Sequence, residues 1–177
     1  MTETDPLILY LEEKRDDRAM MASLRRGLGQ PLGVVPEVSR IVQWRLARDA
    51  PPWLEAAYYL IAPLFALHPA KGGTGNMGNH FRAMCTPGED PPTNVERRFI
   101  ALLASDPDDL DDVLRQAVTL LKSKDVPVNW HELLRDVLAW KYPNEERRAR
   151  VQKKWSRAFW RAPQAVASTG STQTINN

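Results

Sequence analysis

A row of cations near the carboxyl end of the chain has the residue types and spacing to bind phosphate. Its members follow one another at intervals of four, three and four residues: Arg150, Lys154, Arg157 and Arg161. At 100° per residue they fall within a helical stripe about 60° wide, beside an apolar face that carries Val151, Trp155 and Phe159. Solvated helix faces usually intersperse charges of both signs. The row therefore predicts contact with a phosphate backbone, and an ordinary solvated face is the alternative.

Two further groups of cations are adjacent pairs. Arg25 and Arg26 stand before a glycine, and Arg97 and Arg98 stand before Phe99. Neighbouring helical positions point about 100° apart, so one arginine of each pair can face a ligand while the other pairs with an acid. Each pair on its own is as consistent with surface salt bridges as with phosphate contacts.

A glycine-rich segment, Gly73 to Gly78, fits the letters of the dinucleotide fingerprint G-x-G-x-x-G. That fingerprint needs a preceding strand and a βαβ unit, whereas the segment before it, LIAPLFALHP, has the pattern of a helix that ends in proline. We therefore do not predict a nucleotide site. The backbone N–H groups of this loop, together with Lys71 and Arg82, could still meet a phosphate backbone.

No catalytic or metal-binding constellation is evident. The acidic cluster Asp106–Asp112 lacks the glycine and distal glutamate of a calcium loop, and the three histidines, His68, His80 and His131, lack metal-ligand spacing. A single cysteine, Cys85, excludes an internal disulfide framework. These observations predict a protein that is not an enzyme and needs no cofactor or metal.

The elements that position these residues are predicted to be helices. Apolar residues recur at helical spacing almost throughout, which gives an all-α chain of two small bundles. One helix should run from about Trp53 to Leu67, with Pro63 kinking it or ending it early. A Pro/Gly-rich linker at 86–92 is the predicted boundary between an N-terminal lobe, residues 1–85, and a C-terminal lobe, residues 93–162. Residues 163–177 have little to bury and are predicted to be disordered.

Capping residues predict where the later helices begin. Thr93 can cap one helix, with Glu96 three residues later at the capping-box position. Asp106 can cap the next, with a proline at its first helical position. Asn129 is predicted to start the next helix, and Asn144 is predicted to cap the last one, which should extend to about residue 162.

Composition sets the remaining bounds. The 177 residues are 43% hydrophobic and include six tryptophans, which we interpret mainly as core residues, not as base-stacking platforms. Because the formal net charge is only +2, any attraction for a polyanion must come from local patches. No apolar run approaches the roughly 20 residues of a membrane span, and the acidic N-terminus does not resemble a signal peptide. The sequence thus predicts a cytoplasmic protein without a membrane partner.

Five stretches of the chain match a known family. They are SLRRG at 23–27, LFALHP at 64–69, MGNHFR at 77–82, NVERRFIALLASDPDDLDDVLRQAVTLLK at 94–122 and VPVNWHELLRDVLAWKYP at 126–143. These segments resemble the CasB family, the small subunit of the type I-E CRISPR surveillance complex called Cascade. The resemblance covers most of residues 20–160 and is most specific between residues 94 and 140.

The resemblance implies an all-helical subunit without enzymatic activity that contacts the nucleic-acid backbone. It implies as partners the crRNA, the target or displaced DNA, other Cascade subunits and a second copy of the chain, so that the R-loop is stabilised. Base pairing reads the sequence in such complexes. Carried over by position, the implied contacts are Arg25, Arg26, Arg82, Arg97, Arg98, Arg115, Lys122 and Lys124. The alternative is a helical protein-interaction scaffold whose basic residues pair with acidic neighbours.

Overall fold

Residues 4–161 are described by a computed structural model, and within that range the chain forms nine α-helices and no strand. The helices are α1 Pro6–Glu13, α2 Arg18–Arg25, α3 Pro36–Gln43, α4 Pro52–Leu67, α5 Met77–Ala83, α6 Thr93–Leu103, α7 Leu110–Ser123, α8 Trp130–Lys141 and α9 Glu145–Trp160. The all-α prediction is confirmed. The disorder predicted for residues 163–177 lies outside the described range.

Helix α4 is the central element, because it is apolar on every side. All of its residues from Ala57 to Ala66 are buried, as expected for a helix without a polar face, and α2, α3 and α8 pack around it. The helix continues through Pro63 and does not end early; the other alternative, a kink at this proline, stays a prediction. Pro63 is itself buried against Gly27 at the end of α2, where an added Cβ atom would lie 2.9 Å from the proline ring. Tertiary packing thus holds the helix together at this position.

The helices before and after residues 86–92 share one hydrophobic core. Helix α4 packs against α8, and α5 packs along α9, so buried apolar residues from Leu7 to Phe159 form a continuous cluster. The division into a lobe of residues 1–85 and a lobe of residues 93–162 stays a prediction. The helices before residues 86–92 therefore hold the helices after them in place, and the reverse is also true.

The predicted start of a helix at Asn129 and the predicted cap at Asn144 are confirmed. The side chain of Asn129 accepts a hydrogen bond from the backbone N–H of Glu132 at 3.2 Å, and that of Asn144 accepts one from Arg147 at 3.0 Å. Each caps one of the last two helices, α8 and α9. Helix α9 ends at Trp160, slightly before the predicted end.

The other two predicted caps are wrong. Thr93 is the first residue of α6, not its cap, because the helix begins after Pro92, whose carbonyl oxygen accepts from the N–H groups of Val95 and Glu96. The side chain of Glu96 accepts the indole N–H of Trp160 on α9 at 2.9 Å. Helix α7 begins at Leu110, not at Pro107. The residues after Asp106 form a turn in which its carbonyl oxygen accepts from the N–H groups of Asp109 and Leu110.

Two buried histidines tie the segment before α8 to the first half of the chain. The Nε2 atom of His80 accepts the backbone N–H of Asn129 at 3.1 Å, and His68 donates to the carbonyl oxygen of Val126 at 2.8 Å. Burial lowers the pKa of His80 to about 4, and the nearby His68 adds to that shift. The fold therefore requires His80 to be neutral.

This requirement predicts that the free energy of unfolding falls as the pH drops from about 6.5 to 4. The unfolded chain takes up a proton on His80 near its ordinary pKa of about 6.5, whereas the folded chain does so only near 4. When the unfolded state binds one more proton than the folded state, the free energy of unfolding falls by up to about 1.4 kcal/mol for each unit by which the pH drops. Urea unfolding of wild type and His80→Gln across this range should show a flatter dependence for the variant, whose amide oxygen can still accept from Asn129. If the free energy of unfolding falls equally with pH in wild type and His80→Gln, the pH dependence does not come from His80.

Candidate nucleic-acid interface

Helix α9 is held on the body of the protein by one apolar face. Trp155 is fully buried, and its ring lies 5.1 Å from that of Trp140 on α8. One turn later, the ring of Phe159 lies 4.2 Å from that of Phe99 on α6. Because Val151 is buried as well, this face anchors the helix along most of its length. The predicted cations are consequently turned toward a neighbouring face.

The cations of α9 line a shallow, open depression of about 540 Å³, which we call the α9 groove. No acidic side chain lines it. Its lining residues are Asn79, Arg150, Lys153, Lys154, Arg157, Ala158 and Arg161. All four cations of the predicted row are therefore brought together, and one lysine that the prediction missed joins them. A groove with five cationic side chains has the charge and openness to accommodate a phosphate backbone.

Lys154 is not the free surface cation that the row implied. Its Nζ atom donates to the Oε1 atom of Glu132 at 2.8 Å and to the carboxylate of Asp136, both on α8. The second oxygen of Asp136 accepts the indole N–H of Trp155 at 2.6 Å. Burial alone would lower the pKa of Lys154, but its hydrogen bonds to the two carboxylates outweigh that effect and the pKa is raised. The main role of Lys154 is therefore to join α9 to α8.

The other cations of the groove are open to solvent. Arg150 lies 3.7 Å from Glu146, but both side chains are exposed, and such a pair contributes only about 0–1 kcal/mol. Arg157 and Arg161 are exposed and take part in no ion pair within residues 4–161. The same holds for Lys153, whose spacing of three residues after Arg150 and four before Arg157 was the signal that could have identified it.

The two arginine pairs behave differently. Arg26 lies 3.3 Å from Glu37 on α3, whereas Arg25 is exposed and has no ion pair in the described part of the chain. Arg97 and Arg98 are both exposed, and neither meets an acid there. Both Arg97 and Arg98 are thus accessible to a ligand, although the helical geometry led us to expect only one accessible arginine in each pair.

The remaining candidates lie away from the groove or are partly engaged. Arg82 donates to the backbone oxygen of Glu89 at 2.9 Å, and Arg115 forms an ion pair with Asp112 at 2.9 Å. Lys122 and Lys124 are exposed at the carboxyl end of α7. Cations at that position also offset the helix dipole, so their placement has a structural explanation as well.

The residues considered for chemistry form no catalytic arrangement in the described range. Within residues 4–161, no three His, Cys, Asp or Glu side chains are grouped so that they could hold a metal ion. Cys85 is buried, and burial raises the pKa of its thiol, which is opposite to what activates a nucleophile. The glycine-rich loop follows α4, not a strand. Over the same range, no helix has the length and apolarity to cross a bilayer.

The fold and the α9 groove place the chain in a class of small, all-helical proteins with a cationic groove, which here lies on the last described helix. Residues 20–160 match the family model of CRISPR-associated protein Cse2. The Cse2 protein of Thermus thermophilus is 33% identical over 147 residues, which cover 81% of this chain and 80% of that relative. The chain therefore belongs to the Cse2 family, and the resemblance to CasB is confirmed.

Solved structures agree with this assignment. The crystal structure of M. ruber CasB is 36% identical with a TM-score of 0.71, covering 87% of this chain and 90% of that chain. CasB from Thermus thermophilus is 30% identical with a TM-score of 0.71, covering 90% and 99%. A chain of a CRISPR RNA-guided surveillance complex has a TM-score of 0.73 at 20% identity, with 88% and 92% covered, and shares the fold.

Proposed function

We propose that this chain is a non-catalytic small subunit of a cytoplasmic Cascade-type surveillance complex and that it stabilises the R-loop by holding nucleic-acid backbone. The observation that carries the proposal is the α9 groove, whose lining residues include five cations and no acid. Lys154 is paired with two carboxylates of α8, so four of the five cations remain for a ligand. A structural relative of this chain is described as part of a CRISPR RNA-guided surveillance complex. The proposed partners are crRNA, target or displaced DNA, other Cascade subunits and a second copy of the chain.

The proposed contacts are independent of sequence. The groove is lined by charged termini and by one amide, Asn79, which can hold phosphate oxygens but offers little to distinguish bases. In a guide-directed complex, base pairing supplies the specificity and protein–backbone contacts tip a nearly balanced strand exchange. Arg157 is the candidate to test first, because it is exposed, has no ion pair among residues 4–161 and lies between Lys153 and Arg161 along the groove.

Replacing Arg157 with glutamate should weaken binding to single-stranded DNA of any sequence and flatten its dependence on salt. Each lost phosphate contact reduces the slope of log K against log salt by roughly 0.7, which corresponds to at least about a fourfold loss near 0.15 M salt. Fluorescence anisotropy with labelled oligonucleotides of two unrelated sequences, titrated at several salt concentrations, measures both quantities.

Arg147→Glu is the matched control, because it makes the same charge change on the same helix. The guanidinium of Arg147 lies 3.9 Å from the centre of the Tyr142 ring, and it is about 15 Å from Arg157 along the helix axis. We expect its salt slope to equal that of wild type. A wild-type chain that shows no salt-dependent binding would favour the alternative, a protein-interaction scaffold. If Arg157→Glu leaves the slope of log K against log salt unchanged, the α9 groove does not bind the nucleic-acid backbone.

A further inference from the structure

Trp44 lies outside the core and is more exposed than Trp160, whose exposed fraction is 45%. It is 86% exposed, whereas Trp130, Trp140 and Trp155 are buried. Trp44 follows the last residue of α3, whose apolar residues Val38, Ile41 and Val42 face the core. An indole left in water forgoes the stabilisation that burial of so large an apolar surface provides. An exposure of this size points to a binding role.

The surroundings of Trp44 are polar and basic. Arg40 stands four residues earlier, one helical turn away on the same side of α3, so the two side chains are neighbours on the surface. Arg48 is exposed in the turn that follows. Neither arginine takes part in an ion pair within residues 4–161. Gln43, beside Trp44, is exposed too, and Asp49 is the one acid in this turn. We call Arg40, Gln43, Trp44 and Arg48 the α3 face.

This face continues toward the basic end of α2. Arg26 lies 3.3 Å from Glu37, which is on α3 three residues before Arg40. The adjacent Arg25 is exposed as well. Glu37 is therefore paired with Arg26. Gln43 donates to Glu55 on α4 at 2.6 Å, so the charges of this surface outside that pair are those of Arg25, Arg40 and Arg48 against those of Glu55 and Asp49, an excess of one positive charge. Positive charge interleaved with an aromatic ring is the arrangement that binds single-stranded nucleic acid.

The backbone beneath Trp44 is held in place. The next residue, Arg45, lies with its guanidinium 3.6 Å from the centre of the Tyr10 ring and donates to the carbonyl oxygen of Ile41 at 2.8 Å. The indole thus projects from a fixed point, which reduces the entropy lost when a ligand packs on it.

We propose that Trp44 stacks on an unpaired base of a nucleic-acid single strand while Arg40 and Arg48 hold the flanking phosphates. This inference rests on the proposed function and adds a second contact. Helix α3 packs on α4, α4 on α8 and α8 on α9, so two layers of helices separate the α3 face from the α9 groove. A base is the favoured occupant because most exposed neighbours of Trp44 along the chain are charged or polar, Ala47 being the exception, whereas the centres of protein interfaces are depleted of charge.

The test compares the full-length wild type with Trp44→Ala and Trp44→Phe on two labelled probes: dT12 and a strand of the same length made of abasic nucleotides. Loss of a stacked base weakens binding roughly 5- to 150-fold. We expect a loss of this size for Trp44→Ala on dT12, none on the abasic strand, and largely retained affinity for Trp44→Phe. Because tryptophan is uncharged, the salt slope of Trp44→Ala should stay at the wild-type value, whereas Arg40→Gln should lower it by roughly 0.7.

Arg157→Glu in the same assay separates this inference from the proposed function. If Arg157→Glu weakens binding while Trp44→Ala binds dT12 as tightly as wild type, the groove stands, the stacking site is overturned, and Trp44 is a protein contact. Equal losses of Trp44→Ala on both probes would also overturn stacking. If wild type shows no salt-dependent binding to either probe, the inference and the proposed function both fail. Thermal unfolding checks that Trp44→Ala is folded, as its exposure leads us to expect.

Discussion

Lys154→Met should lower the free energy of unfolding by about 3 kcal/mol. The side chain of Asp136 is only 3% exposed, and without Lys154 its carboxylate would keep a single partner, the indole N–H of Trp155. Leaving a buried charge without its partner costs roughly 3–5 kcal/mol. The Lys154 side chain is itself 39% exposed, so we expect the low end of that range. Urea unfolding measured at pH 7 tests the value.

The loss should depend on pH in a defined direction. Burial raises the pKa of Asp136 even with Lys154 in place, and removing the ammonium group raises it further. A carboxyl whose pKa is higher in the folded state than in the unfolded state stabilises the fold below the unfolded value, about 3.9, and loses that contribution as the pH rises through the folded value. The deficit of Lys154→Met should therefore be largest near neutral pH and shrink toward pH 4.

A second substitution, Asp136→Asn, distinguishes a buried charge pair from simple loss of packing. The double variant Asp136→Asn/Lys154→Met contains no unpaired charge, so it should be more stable than Lys154→Met alone. A coupling energy above about 0.5 kcal/mol identifies residues that interact directly. Additive effects would mean that the two side chains contribute independently. With coupling present, charge reversal at Lys154 would reduce binding by unfolding α9, which is why Arg157 is the position at which to test the groove.

The prediction for α9 was right where the information is local. Four-residue and three-residue spacings place Trp155 and Phe159 on one face and the cations on another, and the structure shows both faces. The role of Lys154 could not be predicted in this way. Its partners Glu132 and Asp136 lie 22 and 18 residues earlier, on a different helix. Spacing within one helix indicates which side a residue is on, but it does not indicate what the next helix brings to that side.

The helix caps show the same limit. Asn129 and Asn144 were predicted correctly because each bonds an N–H three residues away. Thr93 has the same local signal, but its predicted partner Glu96 is taken by Trp160, which lies 64 residues further along the chain. Because α6 begins after Pro92, Thr93 lies inside the helix and is not at its cap position.

The exposure of Trp44 could have been predicted from the sequence. The general expectation that tryptophan is a core residue holds for Trp140 and Trp155 but not for Trp44. On the helical wheel, position 44 lies about 160° from position 42 and 60° from position 41, away from the centre of the stripe that Val38, Ile41 and Val42 form. The position of Trp44 on the helix therefore indicates its exposure better than its residue type does.

The glycine-rich loop has a packing explanation that its letters did not reveal. Gly75 adopts a φ of 79°, which side chains disfavour. Gly73 lies directly against the backbone of Val128 and Asn129. Gly78 is in the second position of α5 and touches the backbone of α9 at Trp155. The three glycines of G-x-G-x-x-G thus serve a turn and two close backbone contacts.

Gly78→Ala should consequently lower the free energy of unfolding by about 3 kcal/mol. A Cβ atom at this position would overlap the carbonyl oxygen of Trp155 and lie 2.9 Å from the Cβ atom of Ala158. Overpacking of this kind typically costs 1–3 kcal/mol, that is, about 3 kcal/mol at its upper end, and a helix backbone can yield less than a side chain. Because Asn79 of the α9 groove follows directly, the displacement should also reshape the groove. Urea unfolding and the dT12 affinity measure the two effects.

Two comparisons show whether contact between α5 and α9 causes the loss. Gly88→Ala adds the same methyl group at a glycine with a φ of 81° and no atom within 4 Å, so it should cost only the backbone strain of about 1–2 kcal/mol. Ala158→Gly, combined with Gly78→Ala, removes the side-chain clash but leaves the overlap with the Trp155 carbonyl, and should restore little stability. If Ala158→Gly fully restores the stability of Gly78→Ala, the clash with the Ala158 side chain, not the overlap with the α9 backbone, causes the loss. A loss in Gly78→Ala no larger than in Gly88→Ala would contradict close packing of α5 on α9.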